Sequence, residues 1–201
     1  MQDYYFTIEK NIEDVLFKDK NSKFFGFCFP INSENEVKDI LDELRKKHYQ
    51  ANHFCYAYNL GFTENLKWRA NDDGEPNHSA GSPILGQINS KNLTNILVVV
   101  IRYFGGTKLG VSGLINAYKS TALLVLNEAI IISKTINNCY EIYTSYQDLN
   151  KLMKFIKENQ LQIIHQNLSE TCIITLEVKL SMAQKIEKIL RNELRLEFLK
   201  K

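Results

Sequence analysis

The chain has 201 residues, of which 44% are hydrophobic and 24% are charged. That balance is typical of a folded globular protein, and it excludes a disordered or fibrous chain. The formal net charge is only +2, and the pI near 8.2 lies below the value above about 9 that is typical of dedicated nucleic-acid-binding domains. Any contact with nucleic acid must therefore depend on a local patch of the surface.

The longest apolar run, Ile96 to Ile101, is much shorter than the roughly 20 residues of a membrane-spanning helix. The first residues show neither the basic nor the apolar region of a secretion signal. The four cysteines lie far apart with no C-x-x-C pair, so the sequence contains no zinc knuckle and no thioredoxin motif. We therefore expect a cytoplasmic protein with reduced thiols and no contact with a membrane.

The first two thirds of the chain predict a domain of mixed strands and helices. Ser33 and Glu36 form a capping box, which indicates the start of a helix. The run Ile96–Ile101 is too continuous for a half-exposed strand and predicts a central one, whereas Thr63–Gly81 is polar and predicts a loop. Other strands are predicted at Tyr4–Lys10, Lys23–Phe29, Phe54–Leu60 and Ile130–Ser133, with a short helix after Pro83 and a long helix whose apolar stripe comprises Val111, Leu114, Ile115, Tyr118, Ala122, Val125, Leu126 and Ala129.

The last third of the chain predicts a separate domain with the element order βαββαβ. This order is that of the ferredoxin-like fold. The polar stretch Lys134–Asn138 is the predicted junction, so we expect an α+β protein with domains 1–135 and 136–201. The predicted elements are the strand Tyr140–Tyr146, a helix with Leu149, Leu152, Met153 and Ile156 on one face, the strands Leu161–Asn167 and Thr171–Leu180, a helix with Met182, Ile186 and Ile189, and a strand with Leu194, Leu196 and Phe198.

A glycine-rich loop from Gly105 to Gly113 lies between the predicted central strand and the long helix. Backbone amides at a helix N-terminus attract anions, and Arg102 and Lys108 could add full positive charge. The spacing matches neither G-x-x-x-x-G-K-[ST] nor G-x-G-x-x-G, and the glycines could equally serve a tight turn and close helix packing. The candidate anion- or ligand-binding residues are Arg102, Gly105, Gly106, Lys108, Gly110 and Gly113.

A second candidate site is the acidic segment that contains Asp72, Asp73 and Glu75, together with His53 upstream. Carboxylates and an imidazole could bind a divalent cation or transfer protons. However, the segment matches neither a calcium loop nor H-E-x-x-H, and a turn, a partner contact or a buried pair with Arg102 would explain the same residues. We therefore predict no metal, no cofactor and no catalytic residue.

Four segments of the chain resemble the YigZ/IMPACT family: His53–Tyr58, Asp72–Pro76, Ala80–Leu85 and Val98–Gly110. The resemblance covers roughly residues 15 to 130. The sequence departs from the family pattern at His78 and Ser79, where Gly-Thr is common, and at Ser112, where many members have glycine.

The resemblance implies an N-terminal domain with the fold of ribosomal protein S5 domain 2, and a C-terminal ferredoxin-like domain similar to the last domain of elongation factor G. The eukaryotic IMPACT proteins are translational regulators that bind a partner of the amino-acid-starvation kinase, and they are not known as enzymes. We therefore expect a regulatory protein, connected with translation, that binds RNA, the ribosome or a protein partner through the glycine-rich loop and the neighbouring acidic segment. The alternative is a small-molecule hydrolase that uses Asp72, Asp73, Glu75 and His53.

Overall fold

The structure is a computed structural model that describes residues 3–62, 65–169 and 171–200. Thr63 and Glu64 of the predicted polar loop lie outside the described residues, as does Glu170 between two predicted strands. The described residues form a mixed α/β protein with three sheets and five helices, none of which is long and apolar enough to cross a membrane. The strands are β1 (Tyr4–Ile8), β2 (Ile12–Asp19), β3 (Ser22–Pro30), β4 (His53–Leu60), β5 (Lys67–Asn71), β6 (Ile96–Tyr103), β7 (Ile131–Thr135), β8 (Asn137–Thr144), β9 (Gln162–Leu168), β10 (Cys172–Lys179) and β11 (Glu197–Lys200), and the helices are α1 (Glu34–Lys47), α2 (Gly81–Ser90), α3 (Gly110–Glu128), α4 (Tyr146–Glu158) and α5 (Leu180–Asn192).

The chain divides into two compact units. The first unit is Tyr5–Lys134, and the second comprises the chain from Thr135 onward together with the N-terminal residues Asp3 and Tyr4. Two hydrogen bonds attach Asp3 to the rest of the second unit. The N–H of Ile136 donates to the carbonyl of Asp3 at 2.6 Å. The N–H of Ser181 donates to the carboxylate of Asp3, also at 2.6 Å.

The first unit is built on a five-stranded antiparallel sheet in the order β2-β3-β6-β4-β5. β6 is the central strand, as its continuous apolar run predicts. Its side chains alternate between two cores, so that Val98 and Val100 pack with α2 and α3 while Leu97 and Val99 pack with α1. Helices therefore cover both faces of this sheet, which explains why β6 has no polar alternation.

Two edge strands of this sheet were not predicted. β2 pairs only with β3, and a register shift between Ile12 and Val15 interrupts the pairing. This irregularity breaks the period of two on which strand prediction depends. β5 lies within the segment that was predicted to be a polar loop, and most of its residues are exposed. Both strands are half-solvated edges, so their sequences carry little apolar alternation.

The second unit has the element order predicted from the sequence: β8, α4, β9, β10, α5 and β11. Its four strands are antiparallel and lie in the order β11-β8-β10-β9. The clean alternation along β10 places Ile174, Leu176 and Val178 in the same core. The helices α4 and α5 contribute Leu152 and Ile186 to that core, so the apolar residues of the strands and helices pack on one side of the sheet.

Candidate functional site

The glycine-rich loop joins the end of β6 to the start of α3. Leu109 occupies the N-cap position of α3 without a side-chain hydrogen bond, and the first turn contains no acidic residue. Lys108 is exposed and forms no ion pair with any residue that the structure describes. The start of this 19-residue helix is therefore a region of positive potential without an acidic side chain in its own first turn.

Two of the glycines adopt conformations that other residues rarely take. Gly106 has a φ of 85° and Gly110 a φ of 73°. A Cβ atom built at either position would have no heavy atom within 4 Å. These glycines therefore allow left-handed turns and leave open space in front of the helix.

The other two glycines lie in close contact with neighbouring residues, and the contact is severe at Gly105 and tight at Gly113. A Cβ atom on Gly105 would lie 2.1 Å from the carbonyl carbon of Asn21, and the N–H of Gly105 donates to Ser22 Oγ at 3.1 Å. A Cβ atom on Gly113 would lie 3.0 Å from the Leu109 Cβ. At these two positions the structure favours the close-packing interpretation that the sequence left open.

Arg102 lies at the end of β6 in a buried ion pair with Glu75. Its Nη1 donates to Glu75 Oε1 at 2.6 Å, and the Tyr118 hydroxyl donates to the same oxygen at 2.9 Å. The side chains of Arg102 and Glu75 are only 6% and 4% exposed. Glu75 neutralises the charge of Arg102, so Lys108 supplies the uncompensated positive charge at this loop.

The Tyr118 hydroxyl and the Cys55 thiol near this ion pair remain protonated at neutral pH. Burial raises the pKa of the Tyr118 hydroxyl far above its ordinary range, and it has the same effect on the Cys55 thiol, which donates to the carbonyl of Asp72 at 2.9 Å. Burial also raises the pKa of Cys28 to about 12. Neither thiol is therefore an activated nucleophile.

Asp72 caps helix α2 from outside the helix. Its Oδ1 accepts hydrogen bonds from the N–H groups of Ala80 and Gly81, at 2.9 and 2.8 Å. Its Oδ2 accepts from the N–H of His78 at 2.9 Å. Because the N-cap residue Ala80 has no side-chain acceptor, Asp72 performs the capping that the N-cap residue usually performs.

Asp73 and His53 tie the acidic segment to the start of β4. Asp73 Oδ2 accepts from the N–H of Phe54 at 2.6 Å, and His53 Nδ1 donates to the carbonyl of Asp73 at 2.8 Å. The Nε2 of His53 lies 3.9 Å from Glu75 Oε1. All three carboxylates thus make contacts that stabilise the fold, and within the described ranges no group of three or more His, Cys, Asp or Glu side chains could hold a metal ion.

His78 stands at a position where the backbone favours glycine. Its φ is 63°, a left-handed conformation that costs most residues about 1 to 2 kcal/mol. Its Nδ1 lies 3.1 Å from Ser82 Oγ, and the buried Ser79 hydroxyl donates to the carbonyl of Pro76 at 2.6 Å. Glycine would adopt this backbone conformation without that cost.

These elements enclose a cleft of about 360 Å³ within the first unit. The cleft brings together Arg102, Lys108 and Gly110 from one candidate site and His53 and Glu75 from the other. Asp72, Asp73, Gly105, Gly106 and Gly113 do not line it. The lining residues are His53, Glu75, Pro76, Arg102, Phe104, Lys108, Leu109, Gly110, Val111 and Leu114.

Sequence analysis missed the exposed apolar wall of this cleft. Phe104 is 46% exposed and Val111 is 53% exposed, although Val111 was placed in the buried stripe of the long helix together with Ile115, which is 36% exposed. Val111 lies in the first turn of α3 and Ile115 in the second. Because side chains alternate between the two faces of a strand, the sequence could have shown that Arg102 lies on the same face of β6 as Val98 and Val100.

Residues 20–126 match the family model described as the Impact N-terminal domain. The chain belongs to the IMPACT family, so the family predicted from the sequence is confirmed. It is 32% identical over 166 residues to the IMPACT family member YvyE of Bacillus subtilis, a match that covers 83% of this chain and 76% of YvyE. It is 28% identical over 149 residues to the IMPACT family member YigZ of Escherichia coli, covering 74% and 73% of the two chains.

A crystal structure of a hypothetical protein has the same overall fold. The TM-score is 0.72, and the match covers 99% of this chain and 98% of the other. The sequence identity is 22%, so the similarity supports the fold and carries no information about function.

Proposed function

We propose that this protein is a cytosolic, non-enzymatic regulator connected with translation, and that it binds RNA on the ribosome through the cleft at the start of α3. The observation that carries this proposal is the meeting, in one cleft, of an uncapped helix N-terminus, the unpaired Lys108 and the exposed ring of Phe104. Positive charge beside an exposed aromatic ring is the combination that proteins use to bind single-stranded nucleic acid.

Family membership supports the connection with translation, because the resemblance to the eukaryotic IMPACT proteins implies a regulatory role there. We further infer that the first unit has the fold of ribosomal protein S5 domain 2 and that the second is ferredoxin-like. The sheet order β11-β8-β10-β9, with both helices packed on one core, supports the second assignment.

The contacts of the acidic residues favour binding over hydrolysis. Asp72 is engaged with the backbone of α2, and Glu75 with Arg102 and Tyr118. A general acid or base needs a proton that it can exchange with a substrate, whereas these carboxylates are engaged by hydrogen bonds that stabilise the fold. His53 does line the cleft, but Cys55 beside it remains a protonated thiol.

Sedimentation with purified ribosomes across a salt series tests the proposal. We expect log K to fall with log salt at a slope of roughly −2 to −4, which corresponds to a few phosphate contacts. Lys108→Ala should reduce the steepness of the slope by about 1, whereas Lys119→Ala, which removes an exposed charge farther along the same helix, should leave it unchanged. The proposal is wrong if the protein does not sediment with ribosomes at low salt. Tight binding to a protein would then support a regulator that acts through a protein partner instead of RNA.

A further inference from the structure

The edge strand β11 of the second unit has one unpaired side. The sheet order is β11-β8-β10-β9, so β8 is the only strand beside β11 among the described residues. Alternate residues of an antiparallel strand direct their N–H and C=O groups to opposite sides. No backbone hydrogen bond joins Glu197–Lys200 to a described residue outside β8. Half of the backbone polar groups of β11 are therefore available to another strand.

A cavity of about 500 Å³ lies along this unpaired side. Consecutive residues of a strand point to opposite faces of the sheet, so a cavity lined by Glu197, Phe198 and Leu199 cannot lie on one face alone. Because β8 occupies one side of β11, the cavity follows the other side, where an added strand would lie. The complete lining is Tyr143, Arg191, Leu196, Glu197, Phe198 and Leu199.

The middle of β11 is apolar and exposed. Its charged residues, Glu197 and Lys200, are at the two ends, and Phe198 and Leu199 lie between them. Leu199 is 57% exposed. Proteins commonly protect an unpaired edge with a bulge or a proline, but β11 pairs with β8 in a regular register and contains no proline. Such an edge favours the addition of a strand from another chain.

On the helix-covered face of the sheet, an added strand would meet a cation. Phe198 pairs with Ile142 and packs against the core to which α4 and α5 contribute. The guanidinium carbon of Arg191 lies 4.7 Å from the centre of the Phe198 ring, and this cation–π contact holds Arg191 beside the cavity. Arg191 forms no ion pair with any described residue. A carboxylate opposite Phe198 would form a charge-assisted hydrogen bond with it.

On the other face, an added strand would meet Glu197 and Leu199. These two residues pair with Tyr143 and Glu141 of β8 and alternate with Phe198 along the strand. Glu197 is exposed and forms no ion pair within the part of the chain that the structure describes. Directly opposite side chains on neighbouring strands stabilise each other when their charges are opposite or when both are apolar. A basic residue opposite Glu197 and an apolar residue opposite Leu199 meet this condition.

A second copy of β11 does not supply the required carboxylate. Strands that pair in the antiparallel arrangement of this sheet place residues of the same face opposite each other. The residues of β11 on the helix-covered face are Phe198 and Lys200, and neither is acidic. A second copy would therefore leave Arg191 without a carboxylate, so the charges favour a different polypeptide segment.

We propose that the unpaired side of β11 binds an extended segment of a partner protein by antiparallel strand addition. The segment has an apolar residue opposite Leu199, an acidic residue opposite Phe198 and a basic residue opposite Glu197, in this order from its N-terminus to its C-terminus. Main-chain hydrogen bonds supply affinity, and the three side-chain contacts supply specificity. This site belongs to the second unit and does not depend on the cleft at the start of α3, so the proposed function and this inference can fail separately.

Nuclear magnetic resonance titration of the isotopically labelled full chain tests the proposal. The probe is the capped peptide Thr-Val-Glu-Lys-Thr, which should shift the amide signals of β11. Arg191→Gln should weaken binding by about tenfold, and Leu199→Ser by about threefold. Lys185→Gln is the matched control, because it removes an exposed charge from the same helix without changing the lining of the cavity, and it should leave binding unchanged.

Two further measurements distinguish strand addition from general charge attraction. Peptides that are methylated at alternate backbone nitrogens should differ, because only one set of N–H groups faces β11. Arg191→Glu should lose the original peptide and should bind the version with Lys in place of Glu about tenfold more tightly than the wild type does.

The proposal is overturned if millimolar peptide leaves the amide signals of β11 unchanged, or if Arg191→Gln binds as tightly as the wild type. Equal binding of the two methylated peptides would also contradict strand addition. Sedimentation equilibrium tests the competing occupant. A concentration-dependent dimer that Leu199→Ser abolishes would assign this edge to a second copy of the chain and overturn the inference, whereas a monomer at all concentrations supports a different partner.

Discussion

Gly105 and Gly86 differ in the space around their Cα atoms. A Cβ atom on Gly105 would lie 2.1 Å from the carbonyl carbon of Asn21, in the turn between β2 and β3. A Cβ atom on Gly86, in the middle of α2, would have no heavy atom within 4 Å. The atom that collides with Gly105 belongs to the backbone, so no side chain can rotate away to relieve the contact.

The same substitution should therefore have opposite effects at the two positions. Gly105→Ala should lower the free energy of unfolding by about 3 kcal/mol or more, because backbone must move. Gly86→Ala should raise it by about 0.5 to 1 kcal/mol, because alanine loses less conformational entropy in a helix. Urea denaturation followed by circular dichroism measures both. Equal free energies of unfolding for the two variants would show that the turn between β2 and β3 and the loop after β6 do not approach as described.

His48 is a buried titratable group on the opposite face of the first sheet from the cleft. Its Nδ1 lies 3.0 Å from the Tyr103 hydroxyl, and the rings of Phe25 and Phe27 lie against it. Asp14 Oδ1 is 3.8 Å from its Nε2, and Lys47 lies beside Asp14. Burial lowers the pKa of His48, and the attraction of Asp14 offsets this only in part.

The lowered pKa of His48 predicts a loss of stability in mild acid. The unfolded chain takes up the proton near pH 6.5, before the folded protein does, so the free energy of unfolding should fall as pH decreases from 7.5 towards the folded pKa. His48→Gln should reduce this fall, as measured by urea denaturation at pH 7.5 and 5.5. His165→Gln removes an exposed imidazole and should retain the wild-type difference. If the free energy of unfolding of His48→Gln falls as much as that of the wild type between pH 7.5 and 5.5, groups other than His48 cause the fall.

The candidate residues show how far a site can be predicted from sequence alone. Of the candidate residues that the motifs selected, His53, Glu75, Arg102, Lys108 and Gly110 line the cleft, whereas Asp72, Asp73, Gly105, Gly106 and Gly113 do not. Motif spacing could not show that Arg102 is paired with Glu75, because 27 positions separate them and only the packing of α3 on the sheet brings Tyr118 to the same carboxylate. Phe104 is apolar, so a search for polar motifs does not select it. Its exposure depends on where β6 ends, which the sequence does not show.

At the scale of single elements, helix α2 depends on a residue that is not part of it. Asp72 lies eight and nine positions before the two amides that it caps, Ala80 and Gly81. Ala80 is fully buried, so water cannot replace the lost carboxylate there. The acidic segment and the helix therefore form one structural unit.

Removal of the Asp72 carboxylate should destabilise the protein. Asp72→Ala should lower the free energy of unfolding by about 2 kcal/mol, at the upper end of the range for helix caps. Asp72→Asn keeps an acceptor oxygen and should cost less. Asp42→Ala removes the same charge from an exposed ion pair on α1 and should change stability by less than about 0.5 kcal/mol. Thermal and urea unfolding compare the three variants, and equal losses for Asp72→Ala and Asp42→Ala would contradict the capping role.

Strands and helices were predicted correctly where burial of one face, or of both, gives the apolar residues a regular spacing in the sequence. The central position of β6, the capping box of α1 and the alternation of β10 follow from side chains that must be buried on known faces. Prediction failed for β2 and β5, where one hydrogen-bonded neighbour holds a largely solvated strand. At such edges, backbone hydrogen bonds hold the strand in place. These bonds do not depend on the side chains, so the sequence gives little indication of the strand.

At the scale of the whole molecule, the three hydrophobic cores formed by the described residues share no residue, and each belongs to one of the two units. Two cores lie on the faces of the five-stranded sheet, and the third lies in the second unit. We therefore expect a chain that ends at Thr135 to fold by itself. It should show cooperative thermal unfolding and native-like circular dichroism, whereas a gradual transition without a midpoint would show that the first unit needs residues 136–201.

The attachment of Asp3 to the second unit has a consequence for how the protein is made. Asp3 and Ser181 are joined by a hydrogen bond but are 178 positions apart in the chain. Synthesis proceeds at about 5 to 20 residues per second, so Asp3 is synthesised on the order of 10 to 40 s before Ser181. The first unit can fold during that interval, but the second cannot be completed until the last part of the chain emerges. Asp3 is thus synthesised early but can form its hydrogen bond to Ser181 only late in synthesis.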